Sequence, residues 1–170
     1  RHLLGDDASR IEVDSAGVNA RLGDPAAEGS VACAASWGVD LSAHRSKPIT
    51  PALLEAADLI VTMSTRQRKA VLGEAKGAAS RTFTWPELVR LLGGADVPSA
   101  ASAPMRLKAA VRAAHYRRPF DPAPKKKEDV DDPFGGPIDG FVTMANLLAE
   151  GGELLGTKLF AVARSDALPV

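Results

Sequence analysis

An α/β domain, with a short parallel sheet wound on both faces by helices, is the architecture this sequence predicts from three observations. Strand-like and helix-like segments alternate along the chain, the pattern of parallel strands joined by crossover helices. The run Asp58 to Met63, Asp-Leu-Ile-Val-Thr-Met, is apolar without alternation, as a parallel strand buried on both faces must be. Helix-opening signals, Asp24-Pro25, Thr50-Pro51 and Ser64-Thr65, stand before apolar segments that recur at helical spacing.

Taken in order, Arg1 to Gly5 reads as the end of a helix, with Leu3 and Leu4 apolar and Gly5 a stop. So short a helix does not nucleate alone, and the expectation is that an upstream segment is missing from these residues. Arg10 to Ser15 predicts a strand with Ile11 and Val13 on one face, running into the turn Ser15-Ala16-Gly17. Asp24-Pro25 predicts an N-cap and first helical position, with Val31, Ala34 and Ala35 facing inward and Gly38 closing the helix. Thr50-Pro51 opens a short helix carrying Leu53 and Leu54. The buried strand 58–63 follows, then a basic helix capped by Ser64 or Thr65 with Val71 and Leu72 inside. Arg81 to Thr84 predicts a further strand, and Glu87 to Leu92 a helix ended by Gly93-Gly94. Met105 to Arg118 predicts an amphipathic helix, with Leu107, Ala110, Val111 and Ala114 inside and a cationic outer face. Ile138, Phe141, Val142, Ala145, Leu148 and Ala149 put an apolar stripe on a last helix that Gly151-Gly152 is expected to weaken or break.

A chain of 170 residues, 45% hydrophobic, buries one sizeable core, so a single domain over 1–170 is expected, with a basic Ala/Pro-rich insertion at about 93–128. Lys+Arg and Asp+Glu both number 21, yet 105–127 holds eight basic residues against Asp121 alone. That segment is +7 and the remainder −7. The run reads as a solvated surface insertion and not as a nucleic-acid site, since Tyr116 and Phe120 are its only aromatic residues. No apolar run approaches the roughly 18 residues of a membrane span, and no signal-peptide pattern opens the chain. Cys33 is the single cysteine, so an internal disulfide is excluded and a reducing cytoplasm is the expected compartment. His2, His44 and His115 are scattered and make no metal-ligand spacing, and no Gly-rich nucleotide motif occurs, so neither a metal nor a cofactor is expected. Trp37 and Trp85 read as core or helix-boundary residues.

The stretch Asp129 to Pro137, Asp-Val-Asp-Asp-Pro-Phe-Gly-Gly-Pro, joins chemistry to a shaped loop. Pro133 removes a donor and biases Asp132 toward an extended conformation, while Gly135 and Gly136 let the chain turn. The loop therefore presents Asp132 and Phe134. A carboxylate beside an aromatic ring suits a general acid at the wall of an aryl-ester pocket, although the same residues also make a plain turn.

Six segments in order resemble the low-molecular-weight protein tyrosine phosphatases: Asp14-Ser15-Ala16-Gly17 after a strand, Asp24-Pro25, Gly38 to Arg45, Ile49-Thr50-Pro51, Ala57 to Met63, and Asp132-Pro133-Phe134-Gly135-Gly136. Arg81 to Thr84 followed by a helix, with the Ala/Pro-rich insertion, is similar to the longer bacterial members. The resemblance implies a flavodoxin-like three-layer fold and cysteine-dependent hydrolysis of phosphomonoesters, with a phosphotyrosine protein or a small aryl phosphate as substrate. In that family a Cys-x5-Arg loop holds the phosphate at a helix N-terminus, where oriented amides lower the thiol pKa and stabilise the phosphoryl group in flight. The resemblance gives Asp132 the role of general acid, Phe134 that of a pocket-lining aromatic often Tyr in the family, and Ser15 that of a support for the phosphate loop.

One departure is large. Six residues after Cys33 stands Val39, not Arg, and Cys33 lies among Val31, Ala32, Ala34 and Ala35 with no glycine to wrap amides around an anion. Cys33 is therefore read as a small buried helix residue, and no nucleophile is assigned in this chain. The expectation is a domain lacking its N-terminal phosphate loop and the central first strand that feeds it, inactive as written. A non-catalytic interaction module of the same fold is the alternative. An arsenate reductase is a further one, although it needs thiols that Cys33 alone does not supply.

Overall fold

The computed structural model describes residues 10–97, 102–122, 124 and 128–160. The expected helix end at Arg1 to Gly5 and the lysines Lys125 to Lys127 lie outside the described residues. Two strands, β1 (Ile60–Thr62) and β2 (Thr82–Thr84), pair in parallel with Val61 opposite Phe83. They are joined by α3 (Thr65–Glu74) and a 3-10 turn at Lys76–Arg81, a right-sized crossover for parallel neighbours.

The sheet separates two apolar layers. On one side Ile60 packs with Leu54 of α2 (Pro51–Ala56), Val71 of α3, Ala75 and Ala78. On the other, Phe83 packs with Leu88 and Leu91 of α4 (Trp85–Gly93), Ala110 and Ala114 of α5 (Ala103–Arg117), and Leu155 of α6 (Ile138–Phe160). This is the helix–sheet–helix layering expected of a flavodoxin-like fold, built on a sheet of two strands among the described residues. Remaining at the periphery, α1 (Glu28–Ser36) lies against α6, where Gly29 meets the Phe141 ring.

Local chemistry fixes most helix ends as expected. Thr50 accepts from the Leu53 amide, Ser64 from the Gln67 amide, and Thr84 with Glu87 forms a reciprocal capping box. Gly38 closes α1, its N–H donating to Ala35 while Val39 donates to Ala34, a Schellman arrangement with Trp37 as C-cap. Cys33 is buried in this helix and donates to the Phe141 carbonyl at 3.6 Å.

Five expectations are overturned. Residues 11–16 form no strand: Gly17 alone bridges to Pro48, and Val13 is 61% exposed. With no neighbouring strand beside 11–16 among the described residues, the alternation of Ile11 and Val13 has no ladder to join. The first helix starts at Glu28 and not at Pro25, because the Asp24 carbonyl accepts from Ser46 and the Gly23 N–H donates back to it, tying 23–24 into a loop–loop contact. Its inner face is Cys33, while Val31 and Ala35 are exposed. Gly151-Gly152 does not break α6, which runs through both. A Cβ on Gly151 would stand 2.7 Å from the Trp85 ring and 2.8 Å from Val89, so glycine here is what lets α6 lie on α4. The α5 helix is amphipathic as expected, with Ala110, Val111 and Ala114 buried in the main core and Lys108 and Arg112 exposed. Finally, Arg118 at its end is not an outer charge. Its guanidinium lies 4.1 Å over the Phe83 ring and donates to Glu87 at 2.9 Å and to the Thr82 carbonyl at 2.6 Å.

Candidate active site

Ligand sites in parallel α/β sheets gather at the carboxyl ends of strands, where the backbone leaves the sheet and helix N-termini point inward. Here β1 ends at Thr62, Met63 follows, and Ser64 caps α3. The Asp-Pro loop is fastened to this edge. The Val130 N–H donates to the Met63 carbonyl at 2.7 Å, and Asp129 accepts from the Thr65 N–H at 2.7 Å and from its hydroxyl at 3.4 Å. A carboxylate on the first helical amide meets both an unpaired donor and the positive end of the helix dipole.

Beyond Val130 the loop shapes itself. The Phe134 N–H donates to Asp132 Oδ1 at 3.0 Å, the Gly136 N–H donates to the Pro133 carbonyl at 2.9 Å, and Gly135 takes φ 78°. That φ is open to glycine and strained for other residues, so the turn residues read from the sequence do the work expected of them. Asp132 is exposed, and Phe134 is 77% exposed. Asp132 is thus an accessible carboxylate on a turn of defined geometry, and its Oδ2 has no hydrogen-bond partner among the described residues.

Ser15 stands elsewhere in the bonding pattern. Its N–H donates to Asp14 Oδ1 at 2.8 Å, and Asp14 pairs with Lys47 at 2.5 Å. Lys47 first, then the Ser15 amide, holds the Asp14 carboxyl below the usual range. Gly17 exchanges bonds with Lys47 and Ile49, so this segment is carried by 47–49. No hydrogen bond among the described residues joins Ser15 to Asp132 or Phe134. His44 and Arg45 close their own loop, Arg45 donating to the carbonyls of Ser42 and His44. Among the described residues no cluster of His, Cys, Asp or Glu could hold a metal ion.

Sequence reasoning missed Asp129 and Arg90. Asp129 bonds 64 residues back along the chain. Arg90 of α4 donates to Glu128 Oε1 at 2.7 Å and Oε2 at 3.2 Å, and to the carbonyl and Oδ1 of Asp121 at 2.7 and 2.6 Å. Neither contact leaves a local signal; both need the fold.

The family model for low molecular weight phosphotyrosine protein phosphatase matches residues 3–98, more than half of the chain. The chain belongs to this phosphatase family. Among its relatives are the low molecular weight protein-tyrosine-phosphatase Ptp of Acinetobacter johnsonii, 33% identical over 82 residues, which are 48% of this chain and 58% of that protein. A probable low molecular weight protein-tyrosine-phosphatase, EpsP of Ralstonia nicotianae, is 31% identical over 86 residues, 51% of this chain and 59% of that protein. The matched stretch thus spans less than two thirds of each relative. Among solved structures, Vibrio vulnificus Wzb in complex with benzylphosphonate superposes with a TM-score of 0.62 at 21% identity, covering 92% of this chain and 86% of that one. The YwlE arginine phosphatase from Geobacillus stearothermophilus gives 0.63 at 21%, covering 92% and 80%. At such identities the likeness is one of fold, and at 92% coverage it reaches beyond the 3–98 stretch that the family model matches.

Proposed function

We propose that this chain carries the acid half of a cysteine-dependent phosphomonoesterase: Asp132 gives its proton to the aryl oxygen as the phosphorus–oxygen bond breaks, and Phe134 flanks the departing ring. The observation that carries this reading is the anchoring of the Asp-Pro loop to the carboxyl end of β1 through Val130 and Met63. Proton donation is what a poor phenolate leaving group needs, and an exposed carboxylate held on a fixed turn can reach it. Ser15 is the proposed support of the phosphate loop. The substrate is a phosphotyrosine protein or a small aryl phosphate, the compartment the cytoplasm, and no cofactor, membrane or nucleic acid takes part. Among the described residues no helix is long and apolar enough to cross a membrane.

The nucleophile is not proposed to be Cys33. Its thiol is buried in the middle of α1 and bonded to a carbonyl, with no turn of amides for an anion. These 170 residues contain no Cys-x5-Arg, so the chain as written is expected to hydrolyse an aryl phosphate no faster than a buffer blank, with or without Cys33→Ser. The same absence supports a second reading, a non-catalytic interaction module of this fold. An arsenate reductase is disfavoured by the single thiol. In a protein that joins this chain to a Cys-x5-Arg loop, Asp132→Asn should lower kcat by roughly 10²–10⁴ for a poor leaving group and far less for a good one. Equal small losses on both substrates would remove Asp132 as the acid. Turnover by the chain itself that Cys33→Ser abolishes would overturn the nucleophile assignment.

A further inference from the structure

We propose that Arg90 is a positioning residue for Asp132: one guanidinium on α4 fixes the chain's approach to the Asp-Pro loop and thereby where the carboxylate stands. The inference rests on the reading of Asp132 as proton donor. Arg90 holds both ends of segment 121–128, gripping Asp121 through its carbonyl and carboxylate and Glu128 through a two-point fork. Such paired, charge-assisted bonds fix orientation as well as distance. The grip is partly withdrawn from water, the Arg90 side chain being 25% exposed and that of Glu128 10%, so solvent and salt weaken it less than a surface pair.

From Glu128 the anchors run without a gap. Glu128 is held by Arg90, Asp129 by the Thr65 amide, and Val130 by the Met63 carbonyl. Asp131 is exposed, and Asp132 follows. Three consecutive residues are thus tied to α4, to α3 and to Met63, which follows β1, immediately before the loop, and Arg90 supplies the first tie. It belongs to a helix whose Leu88, Leu91 and Leu92 are fully buried, so the reference point is rigid. Arg117 shares the Asp121 carboxylate at 3.2 Å, which leaves Arg90 as the group that spans from the end of α5 to the acid loop.

The test begins with the 170-residue chain and needs no turnover. Hydrogen exchange in Arg90→Ala should show the Val130 amide losing protection about tenfold or more, the order expected for one charge-assisted bond, while amides of β1 and β2 keep theirs. Arg90→Lys, which keeps the charge but cannot fork, should fall between. Unchanged Val130 protection in folded Arg90→Ala overturns the proposal, as does an equal loss throughout the sheet. Should Arg90→Ala not fold, Glu128→Gln carries the same measurement with the side-chain shape retained. Kinetics in a protein that joins this chain to a Cys-x5-Arg loop separate the two readings. Arg90→Ala should lower kcat for a poor leaving group with KM nearly unchanged, spare a good one, and add little to Asp132→Asn. Leaving-group dependence in Asp132→Asn but not in Arg90→Ala defeats the positioning role alone; its absence in Asp132→Asn defeats the acid itself.

Discussion

Three aspartates within four residues, Asp129, Asp131 and Asp132, carry the same charge and do different things. Asp129 caps the first amide of α3, Asp131 is exposed, and Asp132 accepts from its own turn at Phe134. Asp129 therefore cannot serve as a silent control for Asp132. Removing its carboxylate strands the Thr65 amide, and Asp129→Ala should cost about 1 kcal/mol, the usual effect of losing a helix cap, read from the urea midpoint. Asp131→Ala should stay within roughly 0.5 kcal/mol, as exposed substitutions do. Equal effects at the two positions would mean the Asp129–Thr65 bond contributes nothing. The turn around Asp132 was legible in the sequence because Pro133, Gly135 and Gly136 act on their neighbours. The task of Asp129 was not, because its partner is set by the docking of a loop on a distant helix.

At the scale of elements, the same residue type has opposite consequences on two helices. Gly73 lies in α3 with nothing within 4 Å of where a Cβ would stand. Gly73→Ala should therefore stabilise by about 0.5–1 kcal/mol, by lowering the backbone entropy lost on folding. Gly151→Ala has the same propensity gain in α6, but its methyl would meet Trp85 and Val89 well inside contact distance. Trp85 opens α4 and packs against the main core, so it has little room to retreat. The expected net is a loss of roughly 1–3 kcal/mol, the common cost of overpacking. Thermal or urea unfolding of the pair decides it, and a stabilised Gly151→Ala would show that α4 and α6 do not approach as described. Propensity alone pointed to a break at Gly151-Gly152, since glycine is a poor helix former and packing partners are not written beside it. The capping residues Thr50, Ser64 and Thr84 were readable for the opposite reason: their partners are three residues away.

Over the whole molecule, the layered α/β class was legible because burial writes itself into periodicity, as in 58–63 and along α5. What the pattern could not say is which charges of the basic segment remain outside. Lys108 and Arg112 do, whereas Arg118 is spent on Phe83 and Glu87, and Arg117 on Asp121. The internal use of charge has a consequence in acid. Arg90 first, then Arg117, holds the Asp121 carboxyl below its ordinary value of 3.8, and Lys47 and the Ser15 amide do the same for Asp14. A carboxyl whose folded pKa is depressed binds its proton more readily when unfolded. Its contribution to stability is therefore complete above the ordinary value and is lost as pH falls through the lower, folded one. The urea midpoint should be insensitive to these groups from about pH 6 to about pH 5 and should decline below about pH 4. Asp121→Asn keeps the shape and removes the titration, so its midpoint should start lower at neutral pH and fall less steeply in acid. An acid limb of the same slope in both proteins would show that the Arg90–Asp121 pair is not what holds the end of α5 to α4.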